Sequence, residues 1–103
     1  MKNFRTYQLS LELYEACQGV RLKSYMQDQL QRAALSVALN ISEGAAKPTL
    51  KDQRRFFAIA YGSVREVQTI LTLAKRSHEF KLADVVGAHL YRLLNPGPKP
   101  DTR

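Results

Sequence analysis

The chain has 103 residues, 45% of them hydrophobic, which is enough for one domain with a real core. Cys17 is its only cysteine, so no disulfide can form within it, and no stretch approaches the ~20 apolar residues of a membrane span. Sixteen Lys and Arg against nine Asp and Glu leave a net charge of +7, which points to an anionic partner, nucleic acid first, or to a surface tuned for solubility.

Proline occurs only at Pro48, Pro96, Pro98 and Pro100, and the long segments between are rich in Leu, Ala, Gln, Arg and Lys. All are good helix formers, so an all-α fold is expected. The opening MKNFRTYQ has no apolar run of signal-peptide length. With the lone cysteine, this fits a soluble, cytoplasmic protein.

The first helix is expected from about Thr6 to Gly19, with Leu9, Leu13, Cys17 and Val20 as its inner stripe. Cys17 reads as a small buried hydrophobe, since nothing near it in sequence marks an activated thiol. Leu11 and Tyr14 lie toward the other side. Ser24 and Gln27 have capping-box spacing, so the second helix is expected to begin near Tyr25 and run to about Glu43.

This second helix has three faces. Leu30, Ala33, Ala34, Val37, Ala38 and Ile41 form an apolar stripe. Gln29, Arg32, Ser36, Asn40 and Glu43 line one polar flank. Leu35 and Leu39 project away from the core, where a lone monomeric helix needs no apolar groups. Gly44 is expected to stop the helix as a C′ glycine.

Thr49 and Asp52 mark the start of the third helix, about Leu50 to Arg76. Its expected seam is Phe56, Ala60, Val64, Val67, Leu71 and Ala74. Gly62 interrupts that pattern at about 1 kcal/mol against Ala, which calls for a packing reason or a close contact. The fourth helix is expected from about Lys81 to Leu94, with Leu82, Val85, Val86, His89, Leu90 and Leu93 inward. Asn95-Pro96-Gly97-Pro98 ends it. The division is therefore a bundle domain over 1–95 and a flexible tail over 96–103. Four amphipathic helices on short connections imply an antiparallel up-and-down four-helix bundle.

Signals for catalysis are weak. No Glu has a His three residues on, as di-iron bundles require, and only His78 and His89 exist. Gly44-Ala45-Ala46-Lys47 lacks the spacing of a phosphate loop, and there is no Gly-x-Ser-x-Gly elbow. Neither cofactor, metal nor small-molecule substrate is expected. Glu43 and Glu66 could serve as acid and base, but a structural role fits better. Arg32, Asn40, Glu43, Ser63 and Glu66 are expected to join the second and third helices through charge-assisted hydrogen bonds.

The cations are more informative. Segment 48–81 holds seven cations and three acids, a net +4 of the full +7. At ~100° per residue, Lys51, Arg54, Arg55, Arg65 and Arg76 share one arc opposite the seam of the third helix. Such a stripe can track a phosphate backbone, and arginine stacks on unpaired bases. Arg21, Lys23 and Lys47 are expected as outer contributors. The alternative is an ordinary solvated face. No base-reading motif occurs.

The run Gln29-Leu30-Gln31-Arg32-Ala33-Ala34-Leu35-Ser36-Val37-Ala38-Leu39-Asn40-Ile41-Ser42-Glu43-Gly44, followed by Phe57, Ala60, Gly62-Ser63 and Glu66, resembles the bacterial four-helix bundle family of 23S rRNA intervening-sequence proteins. The family pattern reads roughly QLRRAAxSIxxNIAEG, and the resemblance covers about residues 5–94. Many relatives carry a Pro and an acidic, Gly-containing loop before this run. Here the loop is Arg21 to Asp28, shorter and more basic.

The resemblance implies a ring-shaped homo-oligomer, typically a pentamer, and no enzymatic activity. It also implies RNA as partner, or a reverse transcriptase, since relatives serve as accessory proteins of diversity-generating retroelements. The expected function is thus non-catalytic RNA binding through a basic surface, with a protein-binding scaffold as the alternative. Leu35, Leu39, Leu11 and Tyr14 are the expected subunit contacts.

Overall fold

Leu9, Leu13, Cys17 and Val20 are all buried, as their spacing requires, and they meet apolar stripes from three further helices. A computed structural model describes residues 4–97, which form α1 (Phe4–Gln18), α2 (Ser24–Ala45), α3 (Leu50–Leu73) and α4 (Ser77–Leu94). The fold is all-α, with four helices around one core. From Pro98 on, the expected tail lies outside the described residues.

The α2 stripe is buried as expected: Leu30, Ala33, Ala34, Val37, Ala38 and Ile41. Its ends differ from expectation. Ser24 is the first helical residue rather than the cap; Lys23 holds the cap position without a side-chain bond. Gln27 reaches back instead, its Oε1 accepting from the Leu22 amide at 3.0 Å. Gly44 does not stop the helix, which continues to Ala45. Short bonds from Ala46 to Glu43 and from Lys47 to Gly44 tighten the last turn, and Pro48 disfavours helical backbone at Lys47.

Gly44 has a packing role. A Cβ there would stand 2.7 Å from Phe57 Cε1 and 3.1 Å from the Gln53 carbonyl oxygen. The α2 and α3 backbones close to this distance because glycine has no side chain. Further along, Ser36 and Ser63 hydroxyls meet at 2.7 Å, and Gln29 donates to Glu66. Residue numbers fall on α3 as they rise on α2.

Thr49 caps α3, its hydroxyl accepting from the Asp52 amide at 3.2 Å. The buried seam is Phe57, Ala60, Val64, Val67 and Leu71, with Ser63 and Ile70 beside it. Phe57, not Phe56, is the core aromatic, because α2 approaches from the Gly44 side. Gly62 is exposed with nothing near its absent Cβ, so the close contact expected for it does not exist within the chain.

The third helix ends sooner than its pattern suggests. Lys75 takes a left-handed φ of 58°, the Arg76 amide bonds Leu71 O at 2.9 Å, and the Lys75 amide bonds Thr72 O at 3.1 Å. This is a Schellman turn with lysine where glycine is usual. Arg76 therefore leaves α3 and becomes the residue before α4.

On α4 the buried residues are Ala83, Val86, Gly87 and Leu90. Val85 is exposed, while Leu82 and Leu93 pack partly against the core. Gly87 lies against Val64, with its Cβ position 3.3 Å from Cγ1. His89 is half-buried, its Nδ1 3.4 Å from the buried Thr6 hydroxyl, and burial foremost, then Arg92 and Arg5, hold its pKa below the usual value.

The two helical glycines on α2 and α3 give opposite expectations. Gly62→Ala should raise stability by about 0.5–1 kcal/mol through helix propensity alone. Gly44→Ala gains the same propensity but should lower stability by a net of about 1–3 kcal/mol by overpacking against Phe57. Thermal melts of the two variants against the parent chain read both signs.

Candidate nucleic-acid interface

Lys51, Arg54, Arg55 and Arg65 are exposed on the outward side of α3, away from Phe57, Ala60, Val64 and Val67. They stand there because the seam claims the opposite arc. Lys51 to Arg65 spans fourteen residues, about 21 Å along the helix. Among the described residues, Lys51, Arg54 and Arg65 take part in no ion pair. Arg55 has only a long, exposed contact with Asp52 at 3.9 Å. Such a contact contributes little in water, so all four charges are available to an anion.

Phe56, displaced from the core, joins this surface. The Arg55 guanidinium lies 4.6 Å from its ring centre and the Lys47 ammonium 5.0 Å. Both distances suit cation–π attraction. Lys47 also pairs with Glu43 at 3.6 Å within the α2 terminus. The sequence offers a partial signal for this cluster: Arg55 adjoins Phe56, and Lys47 lies just before the start of the same helix.

The other expected cations are elsewhere. Arg21 and Lys23 are exposed in the α1–α2 connection, at the end of the bundle opposite Lys47 and Lys51. Arg76 is committed to Glu79, donating through Nε at 3.1 Å and Nη2 at 3.0 Å. That pair holds the Glu79 carboxyl below the usual carboxylate range, its hydrogen bond from Arg76 outweighing the effect of burial. Arg76 therefore does not belong to the α3 stripe.

The expected polar lock between α2 and α3 is different in membership. Ser63 bonds Ser36, Asn40 donates to Ser36 O at 2.9 Å and to Ser36 Oγ at 3.1 Å, and Glu66 accepts from Gln29. Arg32 and Glu43 are exposed and make no bond to α3 among the described residues. Their positions on α2 turn them outward, past the flank that meets α3. The lock is built from hydroxyls and amides, with one carboxylate at its rim.

Leu35 and Leu39, 44% and 55% exposed, stand on the outer face of α2. Leu11 and Tyr14 are half-buried, and Tyr14 packs partly against the core. Among the described residues no three His, Cys, Asp or Glu side chains gather into a metal-binding group, and no helix is long and apolar enough to cross a membrane.

Cys17 is buried, and its thiol is pushed up to about 11, first by burial and then by the charge of Glu79. Iodoacetamide at pH 8 should therefore leave the folded chain unmodified and label Cys17 only in denaturant, which mass spectrometry reads directly.

Comparison with known proteins adds one positive finding. A search of curated proteins found no match. The family model described as 23S rRNA-intervening sequence protein matches residues 4–87, from the start of α1 to the middle of α4. With so much of the bundle covered, the chain belongs to the 23S rRNA-intervening sequence protein family.

Proposed function

We propose that this protein is a non-catalytic, cytoplasmic RNA-binding bundle that works as a homo-oligomeric ring. The observation that carries the RNA reading is the outward face of α3, where Lys51, Arg54, Arg55 and Arg65 stand exposed and essentially unpaired over about 21 Å. A polyanion with regularly spaced charges matches such a row; a compact metabolite does not. The family's description, which refers to 23S rRNA, supports the choice of RNA. The opposed runs of α2 against α3 and of α3 against α4 support an antiparallel up-and-down bundle. Cys17, free, buried and without a second cysteine in the chain, supports a reducing compartment.

Phosphate contacts give this reading a quantitative test. With four contacts to unpaired RNA, log K should fall with log salt at a slope of about −3, and Arg54→Gln with Arg55→Gln should make it shallower by about 1.4. Binding titrations at several salt concentrations measure both. RNA affinity that is absent at low salt, or indifferent to salt, sinks the reading.

Leu35 and Leu39 support assembly, since both present apolar surface on a helix face that the core does not use. A pentameric ring buries them against a neighbouring copy. Leu39→Glu should shift sedimentation toward the monomer mass while leaving the helical signal intact. The same leucines would suit a scaffold for a reverse transcriptase. In that case Leu39→Glu would leave the mass of the isolated protein unchanged.

A further inference from the structure

The outer edges of α3 and α4 enclose a groove that the basic stripe does not account for. Three hollows run along it. One of about 280 Å³ lies among Tyr61, Arg65, Gln68, Asp84 and Tyr91. The next, about 250 Å³, shares Arg65, Gln68 and Asp84 with it and adds Thr72 and Phe80. The last, about 510 Å³, shares Thr72 and Phe80 and ends between Lys75 and Lys81 over Leu71. Neighbouring hollows share walls, so they follow one another in a row along the α3–α4 junction, which forms an open channel bridged once by Gln68 and Asp84. Tyr61 to Thr72 is eleven residues, about 17 Å along α3.

Its shape follows from the sequence. Tyr61, Arg65, Gln68 and Thr72 recur at i, i+4, i+7 and i+11 on α3, and Phe80, Asp84, Gly87 and Tyr91 do the same on α4. Gly87 lets α4 settle on Val64, which lowers the floor between the two rows. Tyr61 and Tyr91 stand 6.3 Å apart with their rings inclined by 50°, and Tyr91 is 55% exposed. They are not stacked face to face, so the Tyr91 ring keeps a face open.

The charges choose the occupant. Arg65 lies mid-groove, and Lys75 and Lys81 close its far end. Arg76 and Glu79 cancel each other. Asp84 is the one acid on the channel walls, and Gln68 donates to it at 3.3 Å. Two positive charges therefore remain in a channel that has the exposed Tyr91 ring near one end and the half-buried Phe80 ring between its second and third hollows. We propose that this channel binds an unpaired polynucleotide strand, bases stacked on Tyr91 and Phe80 and phosphates on Arg65, Lys75 and Lys81. Cations interleaved with aromatic faces are what unpaired strands require, whereas a duplex hides its bases from such platforms. The proposal rests on the RNA-binding reading above and sharpens it to a strand class and a place.

The test uses the full chain and a labelled unpaired oligo-U, with a hairpin duplex of equal length as control. Tyr91→Leu keeps apolar bulk at an exposed site and should weaken oligo-U binding by about 5- to 150-fold, the usual loss for one stacked base. Its salt slope should not change. Arg65→Gln should instead make the slope shallower by about 0.7. Phe80→Leu should behave as Tyr91→Leu does, and neither aromatic variant should alter duplex binding. If both aromatic variants bind oligo-U as the parent does while the Arg54/Arg55 variant weakens, the groove is wrong and the α3 face stands. If Tyr91→Leu lowers the assembly mass and not the affinity, the groove is a subunit contact and the proposal is overturned. If the parent chain binds no RNA at low salt, both readings fall together.

Discussion

The contact on which this bundle depends is the close approach of α2 to α3. Gly44 admits the Phe57 ring, and further along only two serine hydroxyls stand between the helices. Dispersion is short-ranged, so an inter-helix distance set by missing side chains is worth many small contacts at once. The Ser36–Ser63 bond then fixes how far one helix slides along the other, since two hydroxyls at 2.7 Å tolerate no shift by a turn. Neutral groups serve better here than an ion pair, because a half-buried charge would lose its hydration for little return.

With α3 held by α2, its remaining faces are committed. One side carries α4 through Val64 and Gly87, and the side left over carries the cations. Charge placement is thus a by-product of core packing. The Schellman turn completes the arrangement by moving Arg76 off α3 and into its pair with Glu79. Its Glu79 sits in the first turn of α4, where a carboxylate also complements the positive end of the helix dipole. The surface facing solvent on α3 therefore carries Lys51, Arg54 and Arg55, with Asp52 among them, and a further cation at Arg65.

Much of this could be read before any coordinates. Helical periodicity locates all four helices, and every residue of the expected α1 and α2 stripes is buried, with Thr6, Ser10 and Gly44 buried beside them. The errors share a cause. The period points to Phe56 where Phe57 is buried, and to Val85 where Ala83 is, because hydrophobic period alone cannot say from which side a neighbour approaches. Gly44 looked like a terminator because its lack of a side chain serves a turn and a close contact equally well. Arg32 and Glu43 looked like a lock because charge complementarity is visible in a sequence and the outward turn of a flank is not. Likewise the basic stripe was legible as a run of cations, whereas the groove beside it needs two helices at once. Tyr61 and Tyr91 are thirty positions apart, and only the α3–α4 pairing brings their rings together.

Lys75 carries a consequence of its own. A side chain on left-handed backbone costs about 1–2 kcal/mol that glycine would not incur. The turn closes with two backbone bonds, to Leu71 and Thr72, so the direction in which this lysine leaves the chain is settled by main-chain geometry. Its amine hangs on a flexible stem, but the stem's root does not wander. A counter-ion that meets it restrains only rotamers, never backbone, and the entropic cost of association falls accordingly. The strain in the folded state is, in effect, ordering carried out in advance of any encounter.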